Sequence, residues 1–243
     1  MQPTLLSYMD DQHQLEGCAT VVRLEPEARD GLTCLILDAT LFYPQGGGQA
    51  WDTGLIQGET GIFAVQEVRF VDGFVHHYGQ FREGSLAVGA EVSYTIDSTR
   101  RRLNSRLHSA GHLLDEAVKN LGLAWTPTKG IHYPGQAAVE YEGAVTDTEA
   151  ARAALEAESN RLIQQGFSVT AQLVSLAELP QHSDFIPPQL PDNKPIRVVR
   201  MGAQKGTPCG GTHVKDIAEI GPMTIRYIKA KKGMIRVAYD IPE

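Results

Sequence analysis

Leu103, Leu107, Leu114, Val118 and Leu121 recur at three- and four-residue spacing across residues 101–121, the pattern of a helix with one face turned to a core. Asp97-Ser98 offers an N-cap before it and Gly122 a stop after it. Upstream the period is two. Residues 18–37 read as two β-runs turning at Asp30-Gly31. Residues 62–69, 73–77 and 90–96 continue the alternation, with Asp72-Gly73 and residues 82–84 as turns. Downstream, helix and strand mix. A strand is expected over 137–142, and a helix opened by a capping box at Thr146–Glu149 runs through Gln165 to a stop at Gly166. A strand over 167–174 and a short helix capped by Ser175 and Glu178 follow. A proline-rich passage (Pro180, Pro187, Pro188, Pro191, Pro195) then leads to β-branched runs at 196–201, 223–228 and 234–239, the last two joined in a hairpin at Lys232-Gly233. The expected class is α+β: a small β-barrel domain over residues 1–92, then an α/β domain over 93–243.

Composition narrows the setting. Among 243 residues, 42% are hydrophobic and 21% charged, ordinary for a globular chain able to bury a sizeable core. No apolar run is long enough to cross a membrane, and the start, MQPTLLSYMDDQHQ, lacks the form of a secretory signal. Cys18, Cys34 and Cys209 make no disulfide framework, so a reducing cytoplasm is the expected setting, where thiols are free to bind metal. The net charge of −7 argues against sequence-blind nucleic-acid binding over the whole surface but leaves room for local basic patches. Two are present: Arg100, Arg101, Arg102 and Arg106, and Lys229, Lys231 and Lys232. A solvated charged face is the alternative use of both.

His108 and His112 lie one turn apart on the predicted helix, so both imidazoles can reach one ion. Cys209 and His213 repeat that spacing downstream. Either pair alone is weak evidence. Together they supply the four imidazole and thiolate ligands that tetrahedral zinc prefers. A zinc peptidase of the His-Glu-x-x-His type is excluded, because Ser109 stands where its glutamate would be. A full set of four protein ligands suits a structural ion; a helix face beside a glycine loop suits a cleft. Both uses fit the ligand set at this point. That glycine loop, residues 39–54, contains Gly46-Gly47-Gly48 followed by Gln49 and is no P-loop, since no Gly-Lys-Ser/Thr follows.

The stretches HSAGH (108–112), PCGGTH (208–213) and ATLFYPQGGGQAWDTG (39–54) resemble the editing domain of alanyl-tRNA synthetase and its free-standing AlaX relatives. Arg197 and Arg200, the Glu219–Gly221 stretch and Lys232-Gly233 fit the same pattern. The resemblance implies an N-terminal β-barrel joined to an α/β zinc-binding editing domain shared with threonyl-tRNA synthetase. It also implies hydrolysis of the ester in tRNA(Ala) mischarged with serine or glycine, and Zn2+ on His108, His112, Cys209 and His213. Thr40 and Gln49 fall at its reaction site. Thr40 is the expected partner of the serine hydroxyl, and backbone N–H groups near Gly47 and Gly48 the expected orienting donors. Arg101, Arg102 and Lys232 are expected to meet tRNA phosphates. A length of 243 residues leaves no room for an aminoacylation domain beside these parts, so a stand-alone form is expected. The rival readings are a zinc-containing tRNA-binding module without catalysis and an editor of another mischarged tRNA.

Overall fold

The computed structural model describes residues 2–187, 190, 195–203 and 205–243; Pro188 and Pro191 of the proline-rich passage lie outside these. The chain divides into two compact units, Met1–Gly46 with Ala50–Arg102, and Gly47–Gln49 with Leu103–Glu243.

The first unit contains β1 (Leu5–Leu6), β2 (Glu16–Arg29), β3 (Leu32–Leu37), β4 (Ala39–Thr40), β5 (Gly54–Gly58), β6 (Gly61–Val71), β7 (Phe74–Gly84) and β8 (Glu91–Ile96). Six of them close a barrel in the order β2-β3-β7-β6-β5-β8, and β1 pairs with β4 in parallel. Alternation drives the closure. Along β8 every second residue is buried, which turns Val92, Tyr94 and Ile96 inward onto Val21, Leu35, Leu37, Phe42, Ile56 and Phe63. Asp30-Gly31 and Asp72-Gly73 both take positive φ at their two positions, the type I′ turn that matches strand twist in a two-residue hairpin. His76 and His77 point to opposite faces, as their adjacency requires: His77 is fully buried and His76 partly exposed.

The second unit contains the greater part of α1 (Ser98–Asn120), then β9 (Thr126–Ile131), β10 (Ala138–Glu142), α2 (Thr148–Gln165), β11 (Val169–Val174), α3 (Leu179–His182), β12 (Ile196–Met201), β13 (Thr207–Pro208), β14 (Thr224–Lys231) and β15 (Met234–Asp240). An antiparallel sheet runs β14-β15-β10-β9, and a smaller one β11-β12-β13. Asp97 caps α1 through Oδ1, which accepts the Arg100 N–H at 3.0 Å. Leu107, Ala110, Leu114, Ala117 and Val118 of α1 pack with Tyr141, Ile225, Val237 and Tyr239 in one core. Leu121 leaves the predicted stripe: the helix ends at Asn120, and Leu121 is 38% exposed. The cap of α2 is Asp147 rather than Thr146, its Oδ1 accepting the N–H groups of Glu149 and Ala150. No helix among the described residues is long and apolar enough to cross a membrane.

Candidate metal centre and its cleft

The four residues singled out by spacing converge. One ligand atom from each of His108, His112, Cys209 and His213 lies within 4.8 Å of the others. Cys209 Sγ is 3.5 Å from His108 Nε2 and 3.4 Å from His213 Nε2. Zinc bonds of about 2.0–2.1 Å to nitrogen and 2.3 Å to sulfur at tetrahedral angles separate nitrogen and sulfur by about 3.5 Å. The donor set and its spacing therefore fit a tetrahedral ion.

Hydrogen bonds behind the cluster set which ring nitrogen faces inward. Gln49 Oε1 accepts from His108 Nδ1 at 2.8 Å and from the Thr212 N–H at 2.9 Å, while Gln49 Nε2 donates to Thr212 Oγ1 at 2.9 Å. With the His108 proton held on Nδ1, its Nε2 lone pair is turned to Cys209 and free for metal, the arrangement typical of ligating histidines. Ser109 Oγ stands 3.1 Å from His213 Nδ1 and accepts the Val214 N–H. Arg197 donates to the carbonyls of Cys209 and Gly211 at 2.9 Å and ties down the loop between the two downstream ligands. Gly211 is there because nothing larger fits. A β-carbon on it would collide with the His108 ring and lie 3.0 Å from Gln49 Oε1.

Electrostatics keep the imidazoles in the metal-binding form. Burial holds His108 well below the ordinary histidine range, reinforced by His132, His213 and His112 around it. Burial, then Arg197 and Lys119, lowers His112 to about 4. Burial pushes the Cys209 thiol up, opposed by the Gly211 N–H and Arg197; a cation is what would draw off its proton.

The cluster is not sealed. His108 and His213 are buried, but His112 and Cys209 are only partly so. They open onto a cleft of about 400 Å3 lined by Gly47, Gly111, Asp115, Lys119, Lys129, His132 and Gly210, among others. Asp115 lies one helical turn beyond His112. It accepts a hydrogen bond from Tyr141 at 2.8 Å, and burial raises its carboxyl to about 7 against that bond's opposing effect. His132 stacks on His108, with ring centroids 4.5 Å apart and planes 20° from parallel. Neither Asp115 nor His132 carries a spacing motif. Their partners Tyr141 and Tyr239 lie far along the chain, so only the folded arrangement reveals them.

The other expected site residues differ in their fates. Gly47 lines the cleft, and the Gly48 carbonyl accepts the His132 N–H at 2.8 Å. Thr40 belongs to the first unit and is fully buried. Its hydroxyl accepts the Phe42 N–H at 3.1 Å and lies 2.9 Å from His77 Nε2. His77 Nδ1 donates to the Leu35 carbonyl, and burial lowers the ring to about 4, so Nε2 is bare and Thr40 donates to it. The single proton of that hydroxyl is therefore spent on His77, inside a fully buried residue. Arg101 does not face phosphates: it is 3% exposed, pairs with Asp52 at 2.6 Å and donates to the carbonyls of Gln12 and Leu41. Arg100 and Arg106 are also held by backbone carbonyls, of Trp51 and of Glu219 and Ile220. Arg102, Lys229, Lys231 and Lys232 are exposed.

Residues 7–100 match the family described as tRNA synthetases class II (A), and residues 196–238 match the threonyl and alanyl tRNA synthetase second additional domain. An alanyl-tRNA editing protein, AlaX-L, from Pyrococcus horikoshii is 31% identical over 238 residues, covering 96% of this chain and 56% of that protein. The alanine–tRNA ligase of Jannaschia sp. is 30% identical over 231 residues, and that of Methanocorpusculum labreanum 32% over 211; they cover 88% and 84% of this chain. The chain spans about a quarter of the length of these ligases and about half that of AlaX-L. Matches running from the barrel through the Cys-His motif, together with a three-histidine, one-cysteine cluster, make this chain a homologue of the AlaX alanyl-tRNA editing proteins and the alanine–tRNA ligases.

Proposed function

We propose that the chain is an aminoacyl-tRNA deacylase that hydrolyses the ester of tRNA(Ala) mischarged with serine or glycine, with zinc on His108, His112, Cys209 and His213. The observation that carries this reading is that the ligand cluster opens onto a cleft through His112 and Cys209. A purely structural zinc has no use for a cavity of about 400 Å3 beside it. That volume suits a small ligand such as the aminoacyl end of a tRNA.

A bound zinc ion would act as a Lewis acid on the ester carbonyl and a nearby water. The chain's own residues position the rest. Gln49 fixes the tautomer of His108 and holds Thr212, and Gly47 brings bare backbone to the cleft wall. Thr40 enters as a positioning residue: its hydroxyl ties Phe42 to His77 and so sets the path of the chain ahead of the glycine loop. Aminoacyl esters are reactive, and orientation can supply much of the acceleration. Arg102, Lys231 and Lys232 are exposed and available to phosphates, and Lys229 is exposed with its ammonium 4.7 Å from the centre of the Tyr227 ring.

The need for such an activity follows from pocket physics. An apolar pocket shaped for alanine rejects an added hydroxyl only about 10²-fold, and glycine, being smaller, also enters. The test is deacylation of Ser-, Gly- and Ala-tRNA(Ala) with and without chelator. Hydrolysis of the first two, sparing of the third and loss on chelation are expected. Zinc-loaded protein that cleaves none of the three would end the proposal.

A further inference from the structure

Among the described residues, the two sheets of the second unit end in the edge strands β14, β9, β11 and β13. An open edge invites pairing with another chain, and charge, proline, bulges or shortness deter it. β14 carries Arg226, Lys229 and Lys231 and a break of register between Ile225 and Tyr227. β9 carries Pro127 and Lys129 and a shift of register against β10. β13 is two residues long and ends in Pro208. β11 has none of these features: Val169–Val174 holds no charge and no proline, and its register against β12 is unbroken. Residues 170–173 are all exposed, Leu173 by 62%.

Strand alternation decides which of its backbone groups face outward. The Ser168 carbonyl accepts the Gly202 N–H on the β12 side, whereas the Phe167 carbonyl accepts the Ile217 N–H and the Val169 N–H donates to the Lys215 carbonyl on the other. Successive residues point their N–H and C=O groups to opposite sides, so Ala171 and Leu173 turn theirs away from β12. Neither residue has a hydrogen bond on that side among the described residues. The open stretch is closed at both ends. Residues 215–217 cover the edge up to Val169, and after Val174 the chain leaves it in a turn. Residues 170–174 stay open, with Gln172 at their centre.

We propose that β11 is a self-association edge: a second copy of this chain pairs with it antiparallel about a two-fold axis at Gln172, joining two three-stranded sheets into one. Because the stretch is closed at both ends, a second β11 fits over its full length in this register alone. Ala171 then exchanges hydrogen bonds with Leu173 of the second copy, symmetry repeats the exchange, and every outward group is paired. On one face Leu173 falls opposite the small Ala171, with the two leucines diagonal to each other. On the other face Thr170 meets Val174, and Gln172 meets itself. No charge lies within the stretch. At each end stands Lys215, exposed and without an ion pair among the described residues. It meets the turn of the other copy in which Glu178 Oε2 accepts the N–H and hydroxyl of Ser175. The acidic neighbours of Lys215 are taken up locally, Asp216 by the Ala218 N–H and Glu219 by the N–H groups of Lys215 and Asp216. The fit of the stretch to its own inverted copy is what selects a second copy over an unrelated strand. Such a pairing uses up both edges, so association stops at the dimer.

Sedimentation equilibrium of the full chain over a wide concentration range tests this, and a monomer–dimer equilibrium is expected. Gln172→Lys and Gln172→Glu each set like charges face to face at the axis, and each should weaken the dimer about 5-fold or more. Mixing the two variants should restore association as a heterodimer, an outcome that damage to the fold could not produce. Gln172→Cys places two thiols in a non-hydrogen-bonded pair, whose Cα atoms approach to about 4.5 Å, within disulfide reach. It should cross-link under mild oxidation. Thr170→Cys, which faces Val174 instead, should not exceed the background that exposed Cys18 gives in the wild type. A chain that stays monomeric throughout, a dimer indifferent to both charge variants, or association that grows past the dimer would overturn the proposal.

Discussion

Asp115 carries the cost of facing both a cleft and a core. Its carboxyl titrates near 7 in the folded chain against an ordinary 3.8, because burial outweighs the Tyr141 hydrogen bond. The folded state then binds a proton more tightly than the unfolded state does between those values. Stability from this group is fully present below about pH 4 and is lost as pH rises through 7. Asp115→Asn keeps an acceptor for Tyr141 and removes the titration. Its stability relative to wild type should therefore rise from pH 4 to pH 8 by, at most, on the order of 4 kcal/mol; urea unfolding across that range reads it. At this scale the ligands were legible and the supporting residues were not. His108, His112, Cys209 and His213 announce themselves by paired four-residue spacing. Arg101 and Arg102 are identical neighbours in sequence, yet one helix position apart means a buried pair with Asp52 for the first and solvent for the second.

Among elements, periodicity located the long helices and the longer strands but not β5 or β9, whose glycines and prolines break the alternation, nor the two-residue strands β1, β4 and β13, and cap chemistry decided where the start of α2 slipped. Thr146 and Asp147 are adjacent acceptors, and either can open α2 on paper. Asp147 takes the N-cap with two backbone N–H groups, and Glu149 then falls in the first turn, where its charge suits the helix dipole. Asp147→Ala should cost about 1 kcal/mol in chemical denaturation, and Thr146→Ala only a small fraction of that. Hairpins were the most legible elements. Lys232-Gly233 between β14 and β15 takes positive φ at both positions, as the two aspartate-glycine turns of the barrel do. The type I′ turn demands little more than glycine at its second position and an adaptable residue at its first.

On the scale of the whole molecule, α+β class and the barrel-first order followed from the change of period near residue 97, where a repeat of two gives way to one of three and four. What pattern could not convey is the membership of Gly47–Gln49. These residues sit in the middle of the barrel's sequence but belong to the second unit. There Gln49 bonds His108 and Thr212 across 59 and 163 positions of the chain. Nothing in local composition marks three residues for a different unit, because their destination depends on contacts that distant.

That placement has a kinetic meaning. Contacts between distant residues form only after long loops have closed, and closure entropy makes them late and slow. The Gln49 bond that orients His108 and the arrival of Cys209 and His213 are of this kind, whereas His108 and His112 are prearranged as soon as α1 winds. The ion site is then a register of completed folding, assembled last from segments synthesised far apart. With cobalt in place of zinc, thiolate absorption should grow only in the slowest refolding phase, after most helical signal has returned. Gln49→Ala should reach the same helical content while binding metal about 10- to 100-fold more weakly. Absorption that rises together with the helix would mean instead that the cluster guides folding from its start.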